Sequence, residues 1–232
     1  MKPSLAAVLR AELAAAGDPA KAPAMQAYMK SVMPYYGITA PQLVAVCKRV
    51  FAEFPISTAP AWQRTCLTLY RRAKFREERY AAIGLTGHHL YLEFQNLDTL
   101  PMYEEMIVTG AWWDLVDSIA PKRLGNLLRL YPGPMRKEML RWSKSDDLWK
   151  RRSAIICQLS FKQDTDLKLL YACMEPSLES KEFFLRKAIG WALRQYAWTD
   201  PEEVRRYVRE HEQQLSGLSK REALKHVARV RR

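Results

Sequence analysis

Apolar side chains recur along this chain three and four residues apart, the period of a helix that buries one face. Leu5, Val8, Leu9 and Leu13 form the first such stripe, in a run predicted to be helical over residues 3–16 and ended by Gly17 and Asp18. Asp18-Pro19 opens a second helical region, interrupted near Pro23, that carries Met25, Tyr28, Met29 and Met33. Thr39-Ala40-Pro41 has the order of a cap residue followed by a proline in the first turn, with Leu43, Val46, Cys47 and Val50 as the buried stripe behind it. Further helices are predicted over residues 60–73 and 75–85. Residues 87–96 are ambiguous: Leu90, Leu92 and Phe94 alternate as in a strand, yet no partner strand is visible elsewhere, so helix is favoured.

Thr99-Leu100-Pro101 starts another helix, ending near Gly110. Beyond it Pro121, Pro132 with Gly133 and Pro134, Ser145 with Asp146, Asp164, Ser180, Asp200-Pro201 and Ser219 punctuate the sequence, each ahead of a run with helical periodicity. Ser180-Lys181-Glu182 and Asp200-Pro201-Glu202 each place a cap residue and then an acid in a first turn, where the helix dipole favours negative charge. The fold class expected is therefore all-α, about a dozen short helices in one domain over residues 1–232. Helix pairs recurring at roughly 35 to 45 residues are the signature of a curved HEAT-like solenoid, whose inner helices line a concave surface suited to a rod such as duplex DNA. Self-similarity between the pairs is weak, and a compact irregular bundle is the alternative.

Charge narrows the partner. The chain carries 37 Lys and Arg against 25 Asp and Glu, a formal net charge of +12. Such a surplus repels itself unless an anionic partner uses it, and nucleic acid or an acidic membrane surface are the usual ones. No apolar run is long enough to span a membrane. Arg10 and Glu12 interrupt any signal-peptide core at the N-terminus, so an intracellular, cytoplasmic protein is expected. Cys47, Cys66, Cys157 and Cys173 are dispersed with no C-x-x-C pair, and His88, His89, His211 and His226 converge on no common site. Neither a disulfide frame nor a metal site is indicated.

Within this basic chain, residues 111–118 read A-W-W-D-L-V-D-S, two indoles and two carboxylates together. In a helix Trp113 and Asp117, four apart, share one face, while Asp114 points elsewhere. Two later segments repeat the coupling of indole to charge: Trp149 with Arg152, and Lys187, Trp191 and Arg194. Trp112 and Trp149 are expected to pack in the core, Asp114 to lie on the helix surface, and Gly190, inside a strong helix, to allow close approach of another helix or a ligand. No phosphate-binding glycine loop, H-E-x-x-H, G-x-S-x-G or Cys-His pairing is present. What remains is carboxylate chemistry. Cleaving a sugar–base bond builds positive charge on the deoxyribose, which an ionised Asp stabilises while positioning water and which indole faces attract. No general acid is needed when the leaving base is already cationic.

The segments I-V-T-G-A-W-W-D-L-V-D-S-I (107–119), S-D-D-L-W-K-R-R-S-A-I (145–155), S-K-E-F-F-L-R-K-A-I-G-W-A-L-R-Q-Y (180–196) and L-S-K-R-E-A-L-K-H (218–226) closely resemble the AlkD-type alkylpurine DNA glycosylases, built from HEAT-like repeats, and the likeness spans nearly the whole chain. The resemblance implies excision of cationic lesions such as 3-methyladenine and 7-methylguanine from double-stranded DNA, with no metal and no cofactor; a monomer is expected, since a concave one-chain clamp needs no partner. It places the catalytic aspartate at Asp117, the two lesion-facing tryptophans at Trp113 and Trp191, a phosphate-contacting arginine at Arg152, and an aromatic near the backbone at Tyr28. Lys187, Arg194 and Arg151 are the further cations expected at the DNA. After Gly37 this chain reads I-T-A-P, where relatives commonly have a polar residue ahead of Thr-Pro, which puts a groove contact from that loop in question. Glycosylases generally flip the damaged nucleotide into a pocket; the family is thought to grip sugar and phosphate while the lesion stays stacked. The competing readings are a non-catalytic HEAT-like protein that binds damaged or branched DNA, and a protein-binding scaffold.

Overall fold

The computed structural model describes residues 3–227 and, over that span, holds fourteen α-helices, a few short 3-10 segments and no strand. The all-α expectation is met. The helices form two compact units, Met1–Gln95 and Asn96–Arg232.

In the first unit α1 (Leu5–Ala15), α2 (Ala22–Met29), α3 (Ala40–Glu53), α4 (Ala59–Arg71) and α5 (Arg76–Thr86) follow one another. Leu5, Leu9 and Leu13 line one side of α1 and are buried, and α1 packs on α3, whose own buried side is Val46, Cys47, Val50 and Phe51. Ser4, one residue after the predicted helix start, caps α1 by accepting from the Ala7 N–H. Thr39 caps α3 ahead of Ala40-Pro41, as predicted, and Gln42 completes a capping box with it. Pro23 does not interrupt a helix; it sits in the first turn of α2, where its missing N–H costs nothing. Residues 89–94 are helical as favoured, but as a 3-10 segment (His89–Phe94) that buries Tyr91 and leaves Leu90 and Leu92 exposed.

Two buried carboxylates at the start of α5 fix the loop between α2 and α3. Glu77 accepts from the backbone N–H groups of Tyr36 (3.0 Å), Gly37 (3.0 Å) and Ile38 (3.3 Å). Glu78 accepts from Arg10 Nε (2.9 Å), the Tyr36 hydroxyl (2.9 Å) and Lys74 N–H (3.2 Å). A buried carboxylate is tolerated only when so satisfied. Gly37 is required here: its φ is +86°, and a Cβ would lie 2.1 Å from the Asp18 carbonyl oxygen.

The second unit contains α6 (Leu100–Gly110), α7 (Trp113–Ile119), α8 (Gly125–Leu130), α9 (Pro132–Ser143), α10 (Leu148–Ile156), α11 (Leu167–Met174), α12 (Phe183–Tyr196), α13 (Pro201–Glu210) and α14 (Gly217–Leu224). Helix α10 is central, packed against α6, α7, α9, α11 and α12. Its start is fixed by Asp147, whose Oδ1 accepts from Trp149 (2.9 Å) and Lys150 (2.8 Å) N–H, and α13 is capped by Asp200 as predicted. Among the expected caps that fall elsewhere, α12 begins at Phe183, with Ser180 outside it, and α14 is capped by Ser216, so that Ser219 lies inside the helix and is buried. Gly190 does mark a close helix approach. A Cβ there would stand 2.5 Å from Glu222 Cβ and 2.9 Å from the Ser219 carbonyl oxygen, so α14 can rest on α12 only because residue 190 has no side chain.

Candidate active site

Three local features of the backbone present Asp117. Ala111 turns the chain between α6 and α7 with φ of 44°, a left-handed conformation that costs a non-glycine residue roughly 1 kcal/mol. Trp112 follows in an extended conformation and α7 starts at Trp113, which puts Trp113 and Asp117 one turn apart on the same helix, both half-buried. Asp114 accepts from the Leu115 N–H in the first turn of α7. Pro121, four residues after Asp117, has no N–H to return to the Asp117 carbonyl, and the helix widens into a π-turn over Ala120–Leu124 before continuing as α8.

The Asp117 side chain meets Arg152 of α10 in a two-pronged pair. Arg152 Nε donates to Oδ1 at 2.8 Å and Nη2 to Oδ2 at 2.7 Å, while Nη1 donates to the Phe184 carbonyl of α12 at 2.6 Å. One guanidinium thus ties together the three helices that carry Trp113, Arg152 and Trp191. The Arg152 side chain is only 5% exposed and that of Asp117 15%. Burial pushes the Asp117 carboxyl above its ordinary range; the hydrogen bonds and charge of Arg152 pull it back, and the neighbouring Asp114 adds a smaller upward push. The outcome is a raised but paired carboxylate. Each oxygen accepts one bond from Arg152 and keeps acceptor capacity for water.

Behind the pair lies an aromatic wall. Trp112, Trp149 and Phe184 have ring centroids 5.0 to 6.1 Å apart, and the Arg152 guanidinium lies 6.0 Å from the Phe184 ring. Trp112 and Trp149 therefore pack, as their sequence positions suggested. Trp191 is half-buried on α12. The arrangement of Arg152 differs from the phosphate-facing arginine implied by the resemblance: three of its five N–H groups are held by Asp117 and Phe184.

The other expected cations are distributed differently. Lys187 donates to Glu222 of α14 at 3.0 Å, Arg194 to the other oxygen of the same carboxylate, and Lys225 joins them at 2.5 Å. Burial alone would raise the Glu222 pKa, but the three cations outweigh it and hold it down at about 2. Arg151, next to Arg152, points another way and binds Ser177 Oγ (2.9 Å) and the Pro176 carbonyl (3.1 Å). Tyr28 belongs to the first unit, on α2, and is 77% exposed. Glu222 and Phe184 were not singled out from the sequence. Both lie inside motifs quoted above, but apart from Lys225, three residues from Glu222, their partners are 28 to 35 residues away, so local spacing does not announce the contacts with α10 and α12.

Among the described residues no group of His, Cys, Asp and Glu could hold a metal ion, and the four cysteines are buried free thiols. No helix of the described residues is long and apolar enough to cross a membrane.

Residues 9–227 match the family described as DNA alkylation repair enzyme. The chain is also similar to a solved structure described as a predicted DNA alkylation repair enzyme from Enterococcus faecalis, at a TM-score of 0.82 and 30% identity over 91% of this chain and 97% of that one. No curated protein matches it. The chain belongs to the DNA alkylation repair enzyme family.

Proposed function

We propose that this protein is a monofunctional DNA glycosylase that hydrolyses the N-glycosidic bond of cationic alkylated purines, 3-methyladenine and 7-methylguanine, in duplex DNA without a cofactor. The observation that carries the reading is the Asp117–Arg152 pair: a largely buried carboxylate held in a two-pronged bond by one arginine, one helical turn from the indole of Trp113. As the bond from C1′ to the base nitrogen breaks, its electron pair leaves with the base, whose positive charge is thereby neutralised, and positive charge builds on the sugar. Asp117 faces that charge and takes the proton of the attacking water, whose oxygen becomes the new substituent on C1′. Trp113 and Trp191 flank the sugar through their negative ring faces. Arg152 is a positioning residue for Asp117 first, with three of its five N–H groups held by Asp117 and Phe184, and its charge also favours a phosphate close by. Lys187, Arg194 and the exposed Tyr28 would contact the backbone, the protein acting as a monomer alongside the chromosome in the cytoplasm. In this reading the enzyme grips sugar and phosphate and the lesion need not be flipped.

The same pair supports a second reading. A buried Asp–Arg bridge can be purely structural, in which case the protein binds damaged or branched DNA without cutting it. Release of 7-methylguanine from methylated duplex separates the two: wild type is expected to release free base and Asp117→Asn to be at least ~100-fold slower, the cost of removing one electrostatic stabiliser. No release by wild type would leave only the binding reading.

A further inference from the structure

The second unit holds a cavity of about 490 Å³ that no step of the proposed reaction uses. It begins one turn beyond the site residues on two helices: Ile155 lies three residues on from Arg152, and Gln195 four on from Trp191. Its floor is apolar, from Ile155, Leu159 and Leu170. Its rim is polar and aromatic, from Lys162, Gln163, Gln195, Tyr196 and Trp198, and none of the lining residues is acidic.

Three of the rim side chains are uncommitted. Among the described residues the Lys162 ammonium has no ion pair and the side-chain amides of Gln163 and Gln195 have no hydrogen-bond partner, whereas the amide of the neighbouring Gln158 is fully used on the backbone of Asp166 (2.8 and 3.1 Å). Lys162 is held in a left-handed conformation, φ of 53°, with its carbonyl accepting from the Thr165 hydroxyl at 2.7 Å. Such a conformation costs a lysine of order 1 kcal/mol and is retained where the surroundings impose it. Trp198 is 66% exposed, an unusual state for the largest apolar side chain. One indole face is stacked on His226, with ring centroids 3.6 Å apart, and the residue also lines the cavity.

An aromatic plate, free amides, one free cation and an apolar floor of this size match one ligand chemistry: a planar heteroaromatic ring with an edge of donors and acceptors and an attached anion. We propose that this cavity is a nucleotide-binding site, distinct from the Asp117 centre, in which a nucleobase stacks on Trp198, its edge meets Gln163 and Gln195, and its phosphate meets Lys162. The choice of a nucleotide over other anionic heteroaromatics rests on the DNA-repair reading above. The source is either a free mononucleotide or an unpaired nucleotide at the end of a DNA strand.

Calorimetric titration of the full-length protein with adenosine monophosphate tests this. Saturable one-to-one binding is expected, weakened about tenfold or more in Trp198→Ala, since base–aromatic stacking of ~1–3 kcal/mol corresponds to that change. Lys162→Glu is expected to weaken adenosine monophosphate but not adenosine, and Asp117→Asn to bind both as wild type does. A duplex with a single unpaired nucleotide, bound tenfold more tightly than its blunt counterpart in a Trp198-dependent way, assigns the site to strand ends; equal binding assigns it to free nucleotides. Absence of saturable binding, wild-type affinity in Trp198→Ala, or loss of binding in Asp117→Asn would overturn the proposal. Failure of the glycosylase reading shows separately, as undiminished base release by Asp117→Asn.

Discussion

Two buried carboxylates of the second unit are each paired with cations, and they end in opposite electrostatic states. Asp117 has one partner, Arg152, which does not fully offset the cost of burial, so its carboxyl is raised above the ordinary range. Glu222 has three, Lys187, Arg194 and Lys225, and is held down at about 2 despite burial. The number of partners decides the outcome. A carboxylate surrounded by cations is a fixed anion that pins α14 to α12; one with a single directional partner keeps acceptor capacity and responds to new charge placed beside it. The second is what stabilising a transient cation requires.

The largest expected effects break the Asp117 side of this comparison. Replacing Arg152 by Gln should slow base release by about 10- to 100-fold, comparable to loss of an outer-shell partner elsewhere. It should also move the acidic limb of the pH–rate profile upward. The sign follows from the causes: burial raises the Asp117 pKa and Arg152 lowers it, so without the guanidinium the carboxylate takes up its proton at higher pH and activity disappears sooner on acidification. Single-turnover release measured from pH 5 to 8 checks this, and an unmoved limb would separate the limb from Asp117.

Next in size is Gly190→Val. With Glu222 Cβ at 2.5 Å and the Ser219 carbonyl at 2.9 Å from the position of a Cβ, α14 must shift, and a loss of about 1–3 kcal/mol in unfolding free energy is expected by denaturant titration. Glu222→Gln should cost about 1 kcal/mol at neutral pH, the usual value of hydrogen bonds lost at a partly exposed network. Its pH signature is the sharper test. A carboxylate with a depressed folded pKa stabilises above its unfolded value and loses that contribution as pH falls toward the folded one, here from 4.5 to about 2. The variant should lack this part of the acid-induced loss of stability. Arg151→Ala is the smallest change expected, within about 0.5 kcal/mol in stability because its bonds to Ser177 and Pro176 are partly exposed.

Much of this molecule was legible in its sequence because much of it is local. Helical periodicity, the Thr39 cap, the Asp200 cap and the shared face of Trp113 and Asp117 are set by residues within one turn of each other, and each stands as the spacing implies. Where several capping residues cluster, the choice among them is not local: Asp147, not Ser145 or Asp146, caps α10, and Asp166, not Asp164, caps α11. What the sequence could not supply is pairing at a distance. Residue types at Asp117 and Arg152 were evident, but nothing in a spacing of 35 residues says that the arginine will turn its fork on the aspartate before any phosphate. Glu77, holding three backbone amides about 40 residues earlier in the chain, was invisible for the same reason.

The central claim is that Asp117 is the reacting carboxylate and not merely half of a structural bridge. It is tested most directly by single-turnover release of 7-methylguanine from methylated duplex at saturating protein, comparing wild type with Asp117→Asn whose melting curve shows it folded. A rate at least ~100-fold lower in the variant is expected, the size of one electrostatic contribution to a charged transition state. Equal rates from a folded variant would contradict the assignment and leave Asp117 as the structural partner of Arg152.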